Sequence, residues 1–261
     1  DLGVSSIAMA VAAIATFLVL TFPLALLETP KSRRQSVQSI IALFKQCFPV
    51  FIALFMYALI DNMPKFVMET ALSYDNQLYF NALYFPAQAI LLTVGFVYKP
   101  LLVRMAQMWA DAEKRNRFHL VILAIVAMVI ALTLVVIFLM GWIGIPIMSF
   151  MYGVDFEQFR GLSFIMIAAG GVTAIIDFLY QVITVLRRQK SVMKLYVITF
   201  GFSLFVPILL IDFTGLPGAV IGYLIVMTIL MVLLVWEYIS ICLDLSKHPV
   251  SQNPVSVSVD E

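Results

Sequence analysis

Long apolar runs alternate with short polar breaks along this chain. The runs fall at about 4–27, 39–60, 78–103, 119–142, 161–186, 192–211 and 216–243. Each approaches or exceeds the ~20 residues an α-helix needs to cross a hydrocarbon core ~30 Å thick. The pattern predicts an all-α integral membrane protein with about seven transmembrane helices. Helices are favoured because a lipid-exposed backbone must satisfy its own hydrogen bonds.

The breaks differ in charge. Glu28-Thr29-Pro30-Lys31-Ser32-Arg33-Arg34 is basic, and the stretch from Asp61 to Asn76 carries Asp61, Lys65, Glu69 and Asp75. Arg104 to Arg117 is basic again and reads as a short amphipathic helix. Pro146 to Arg160 holds Asp155 and Glu157, and Arg187-Arg188-Gln189-Lys190 follows. The last break, Asp212-Phe213-Thr214-Gly215-Leu216-Pro217-Gly218, is a tight turn. With the spans drawn as above, 14 of the 16 Lys and Arg residues fall on one side. Only Lys65 and Arg160 fall on the other. Positive charge marks cytoplasmic loops, which predicts a cytoplasmic C-terminus and an outside start in the cell (cytoplasmic or inner) membrane. An odd span count with an outside start leads to the expectation that further helices precede residue 1.

Composition agrees. The chain is 63% hydrophobic and 12% charged, with a mean hydropathy of +1.04. That leaves too few charges to clothe a soluble domain of this size. The net charge of +1 gives no signature for nucleic acid. Cys47 and Cys242 have no metal spacing, and no metalloprotease, serine-hydrolase, P-loop or dinucleotide motif occurs. The expectation is a non-enzymatic protein with no cofactor and no metal.

Three segments carry a family resemblance. They are Leu78-Tyr79-Phe80-Asn81-Ala82-Leu83-Tyr84-Phe85-Pro86-Ala87-Gln88 running on to Tyr98-Lys99-Pro100-Leu101-Leu102; Ile145-Pro146-Ile147-Met148-Ser149-Phe150-Met151-Tyr152-Gly153; and Gly215-Leu216-Pro217-Gly218-Ala219-Val220-Ile221-Gly222. In order and spacing they resemble the polysaccharide flippases of the MOP superfamily, which also contains the MATE exporters. The likeness runs from about residue 36 to 243. It implies a last helix of an N-terminal lobe at 1–27 and a cytoplasmic inter-lobe linker at 28–38. A C-terminal six-helix lobe follows at 39–243, then a disordered cytoplasmic tail at 244–261. The activity it implies is alternating-access flipping of a polyprenyl-pyrophosphate-linked oligosaccharide, for cell-surface polysaccharide biosynthesis. The implied partners are that glycolipid, membrane lipids and a coupling H+ or Na+.

Polar residues inside the runs are the candidate site. A charge at the bilayer centre costs ~2.5–3.5 kcal/mol on insertion scales, so each needs a partner or a role. Asp177 lies ten residues before Arg187, ~15 Å from that edge. Gln181 and Thr184 follow on the same face. Asp177 reads as the ion-coupling or substrate group, or else as an interhelical hydrogen-bond acceptor. Lys45 and Lys99 either reach a substrate pyrophosphate or snorkel to headgroups. Asn81 and Gln88, seven apart, either meet sugar hydroxyls or pack helices. The expected substrate set is therefore Lys45, Asn81, Gln88, Lys99, Asp177 and Gln181. Asp61 and Lys65 read as a local surface pair, or, if their helix continues outward through Phe66, as lining the exit of the cavity; the many Phe, Tyr and Met residues read as packing or lipid-facing. Pro49, Pro86, Pro146, Pro207 and Gly170-Gly171 are candidate hinges.

Two rivals stand beside the flippase. A MATE-type cation-coupled multidrug exporter shares the fold. A seven-helix receptor shares the topology, but no acidic-Arg-Tyr triplet, Asn-Pro-x-x-Tyr motif or deep lysine in the last span supports it.

Overall fold

In the computed structural model the described residues are 37–111, 114–186 and 188–247, with a few more between 8 and 19. Among them 95% are helical and none lies in a strand, so the fold is all-α. Six helical runs are long and apolar enough to cross a membrane: Ile41–Ala71, Tyr74–Trp109, Arg115–Tyr152, Glu157–Val185, Gln189–Thr214 and Leu216–Asp244. The chain is a multi-pass membrane protein. The expected span at 4–27 falls largely outside the described residues, as does the tail from 248 onward.

The helices are α1 (Val37–Ala71), α2 (Tyr74–Tyr98), α3 (Leu102–Ala110), α4 (Arg115–Leu139), α5 (Ile145–Tyr152), α6 (Arg160–Val185), α7 (Gln189–Thr214) and α8 (Leu216–Lys247). Phe96, Phe150, Phe213 and Trp236 are each at least 70% exposed, an arrangement that suits lipid and not water. Two compact units divide inside α1, as Asp1–Cys47 and Phe48–Glu261. In the first, the described side chains Ile41, Leu43, Phe44 and Lys45 are all exposed. The second holds the packed bundle.

That bundle is built around α6, whose buried positions run from Ser163 to Ile183. It packs against α2, α4 and α8, and α8 packs in turn on α7. Small residues let the backbones approach. A Cβ at Gly170 would lie 2.6 Å from the Cβ of Ala87 and 2.7 Å from its Cα. At Gly171 it would meet Thr133 Oγ1 at 2.4 Å. Close approach of this kind is how membrane helices gain contact without a hydrophobic driving force between them. The glycine pair, a candidate hinge, lines the seam between α6 and its neighbours, within an unbroken α6. Pro49, Pro64, Pro86 and Pro207 also lie inside continuous helices.

Two local features depart from the expected boundaries. The acidic stretch from Asp61 is not a loop, because α1 continues to Ala71 and only Leu72 and Ser73 separate it from α2. Between α4 and α5, Met140–Gly144 widens into a π turn, with Ile145 N–H donating to Met140 O. The wider turn accommodates Pro146, which has no N–H and would otherwise crowd the carbonyl one turn back. At the far end of α5, Gly153 takes φ 66°, and its N–H donates to Ser149 O at 3.0 Å. Gly215, at φ 67°, separates α7 from α8. A Cβ there would lie 3.9 Å from Leu72, which puts the α1–α2 and α7–α8 turns at the same end of the bundle.

Candidate functional site

Among the described residues, tyrosine hydroxyls donate to two half-buried carboxylates within the bundle, Asp61 and Asp177. Asp61 sits on α1 ten residues before Ala71, ~15 Å inside the helix end. The Tyr84 hydroxyl of α2 donates to its two oxygens at 2.8 and 3.1 Å. The Tyr223 hydroxyl of α8 donates to Oδ1 at 2.7 Å and lies 3.3 Å from the Tyr84 hydroxyl. One carboxylate therefore ties three helices. Both tyrosines are buried, and their rings meet edge-to-face at 5.7 Å. Lys65, one turn beyond Asp61, does not pair with it. Its ammonium donates to Asn62 Oδ1 at 3.3 Å and lies 4.8 Å from the centre of the Tyr84 ring. The Tyr84 hydroxyl thus faces an anion while a cation covers its ring.

The second carboxylate is Asp177 on α6, eight residues before Val185. The buried Tyr98 hydroxyl, on α2, donates to its Oδ2. No second donor reaches Asp177 among the described residues, and the side chain is half-buried. Tyr84 and Tyr98 are 14 residues apart on α2, which is ~21 Å along the helix and close to one face. A single helix thus presents one phenol to each carboxylate.

Three further tyrosines link the neighbourhoods of the two groups. Tyr57 of α1 meets Tyr196 of α7 edge-to-face at 5.9 Å, and Tyr196 meets Tyr180 of α6 at 6.1 Å. Tyr57 is within electrostatic reach of both Asp61 and Asp177. Tyr180 and Tyr196 are within reach of Asp177. The result is an internal seam of tyrosines bounded by two carboxylates. Such a seam offers hydrogen bonds and ring faces without additional fixed charge.

The expected site residues distribute unevenly over this structure. Asp177 lies in the seam. Gln181, one turn on, is half-buried with no hydrogen bond among the described residues. Thr184, expected to share that face, spends its hydroxyl on Tyr180 O at 2.8 Å. Gln88 is half-buried beside the Tyr84 hydroxyl. Asn81 is exposed and opens instead on a cleft lined by Tyr74, Gln77, Phe85 and Tyr152. Lys99 is exposed, and its stem lies 3.4 Å from the Cβ position of Gly95. It folds back along α2, the direction that Cα–Cβ geometry favours. Lys45 is exposed and belongs to the first unit.

Sequence reasoning missed the tyrosines. Their signal was spacing: Tyr84, Gln88, Leu91, Gly95 and Tyr98 recur at helical intervals along α2. It also read Asp61 as a surface group, because the polar letters after Asp61 resemble a loop. The extension of α1 to Ala71 places Asp61 inside the bundle instead. No cluster of potential metal ligands occurs among the described residues.

No family model matches the chain, and neither a curated protein nor a solved structure shows significant similarity to it.

Proposed function

We propose that this chain forms part of a membrane transporter of the polysaccharide-flippase kind, moving a polyprenyl-pyrophosphate-linked oligosaccharide across the cell membrane by alternating access. The observation that carries this reading is the pair of carboxylates on α1 and α6, separated by the tyrosine seam. A carboxylate within a span needs a partner or a role; Asp61 spends itself as a joint between helices, whereas a coupled transporter needs a group that binds and releases an ion. Asp177, with one phenol donor, keeps acceptor capacity for a proton or Na+. The tyrosines and Gln88 suit a hydroxylated substrate, because amides and phenols both donate and accept. The charge asymmetry of the loops supports a cytoplasmic C-terminus, with Lys99 and Arg104 toward the leaflet where the pyrophosphate is loaded. In this reading residues 39–243 belong to one lobe of a two-lobed carrier.

The test is reconstitution of the transporter with a lipid-linked oligosaccharide, measuring how much glycan becomes accessible to an impermeant lectin. Translocation should be driven by an ion gradient in wild type and lost in Asp177→Asn. Undiminished translocation by that variant would remove Asp177 from the coupling role.

A second reading rests on the same seam. Ring faces beside carboxylates also attract organic cations, as a MATE-type drug exporter requires. Gradient-driven efflux of a cationic dye, with no movement of lipid-linked glycan, would select it.

A further inference from the structure

We infer that the cleft between the first turns of α2 and the end of α5 is a binding subsite for an uncharged pyranose sugar. It has a volume of about 400 Å³, within the ~300–1,000 Å³ typical of small-ligand pockets. Two other cavities differ in kind. One is lined by Ile137, Phe138, Gly141, Trp142 and Phe164. The other is lined largely by apolar side chains of α4 and α6, and its Thr133 hydroxyl is already donated to Val129 O. Both are grooves suited to lipid tails.

The α2–α5 cleft instead presents two side-chain amides, Gln77 and Asn81, four residues apart on one helix face. Neither makes a hydrogen bond within the protein among the described residues, so both are available to a ligand. An amide offers a donor and an acceptor together, which matches vicinal hydroxyls that also do both. Around the amides stand the rings of Tyr74, Phe85 and Tyr152, which are 80%, 74% and 40% exposed. Exposed rings beside free amides form the two surfaces a pyranose needs, an apolar face for its C–H groups and polar atoms for its edge.

One wall is held firmly. Tyr152 is the last residue of α5, and the left-handed Gly153 stops the helix there. Its ring lies 5.5 Å from that of the fully buried Phe156, which in turn meets Tyr79 and Phe159 at 6.1 and 6.0 Å. The Phe156 N–H donates to Ser149 Oγ at 2.9 Å, closing the loop back onto α5. A preorganised wall lowers the ordering cost of binding.

The lining residues carry no charge, which selects among ligands. A phospholipid phosphate would want a cation in the cleft, and a uronic acid would want one too. An uncharged hexose or N-acetylhexosamine needs neither. The predicted orientation puts the cleft on the outer side, where a glycan arrives after translocation. That role rests on the transport reading above, but the binding does not.

The experiment is titration of the 261-residue chain in phospholipid nanodiscs with maltotriose and N,N′-diacetylchitobiose, with digalacturonate as the charged comparison. Glycoside detergents must be avoided, since their headgroups would compete. Saturation-transfer NMR and tyrosine fluorescence report binding. At least one neutral sugar should bind saturably, and digalacturonate should bind at least about tenfold more weakly. Asn81→Leu and Tyr152→Ala should each abolish or weaken binding by about tenfold or more. Tyr152→Leu, which preserves apolar bulk next to Phe156, separates loss of the stacking ring from loss of the wall. The inference is overturned if no neutral sugar binds, if the charged sugar binds as well, or if Asn81→Leu binds normally. Sugar binding without glycolipid translocation would refute the transport reading and keep the subsite. Translocation by wild type with no sugar binding would do the reverse.

Discussion

Asp61 and Asp177 are the same chemical group placed in the same bundle, yet the bundle treats them differently. Asp61 accepts from two buried phenols on two helices, and Lys65 covers one of those rings. Asp177 accepts from one phenol and keeps a partly open flank. The first is a joint between α1, α2 and α8. The second ties only α2 to α6 and retains unused acceptor sites. Because α2 supplies a phenol to each, a shift of α2 along its axis changes both at once. The difference separates a carboxylate that holds helices together from one free to exchange a ligand.

The strongest way to break the comparison acts on α2 itself. Gly170→Leu would drive a side chain into the Ala87 backbone and prise α2 from α6. Overpacking of that kind costs about 1–3 kcal/mol, with more where backbone must move. A lowered unfolding midpoint, with greater modification of a cysteine placed at Gln181, should report loss of the Asp177 contact. Next in size is Asp61→Ala, which strands two buried phenols and should destabilise by about 1–3 kcal/mol. Denaturation in mixed micelles measures this, and a cost near zero would show that Asp61 is no joint. Asp177→Asn should cost less than about 1 kcal/mol, since only one hydrogen bond is altered. Its effect should appear in transport and not in stability. The smallest effects come from the phenols. Tyr223→Phe and Tyr98→Phe should each cost about 0.6 kcal/mol. A double-mutant cycle should couple Tyr223 to Asp61 and leave Tyr98 uncoupled from it.

The membrane architecture was legible because it depends on a one-dimensional quantity. Length and apolarity of a run decide whether a helix can span, and six of the seven expected spans each coincide with a described spanning helix, overrunning it by at most two residues. The last span, expected at 216–243, matches Leu216–Asp244, and α8 runs on to Lys247. The end of the second span was missed for a clear reason. Asp61, Asn62 and Lys65 look like a loop when polarity is averaged along the chain, but the partners of Asp61 lie on α2 and α8, up to 162 residues away. A partner so distant leaves no local trace. Gly170 and Gly171 show the same limit: small residues signal either a hinge or a seam, and the neighbouring helix decides which.

The candidate site divides along the same line. Sequence alone marked Asp177, because a carboxylate within an apolar run is conspicuous wherever its neighbours lie. It set Gln88 and Asn81 on one helical face, which periodicity can do. It could not tell that Gln88 stands beside Tyr84 while Asn81 opens on a separate cleft with Tyr152, since that depends on where α1, α5 and α8 pack. The tyrosines were indistinguishable from packing residues until their hydroxyls found Asp61 and Asp177. The solvent this chain belongs in, its helical class and its approximate spans follow from composition and periodicity, which are properties of each segment by itself. Which polar groups meet, and so which carboxylate is a joint and which is open, is a property of pairs, and only the packed bundle brings the pairs together.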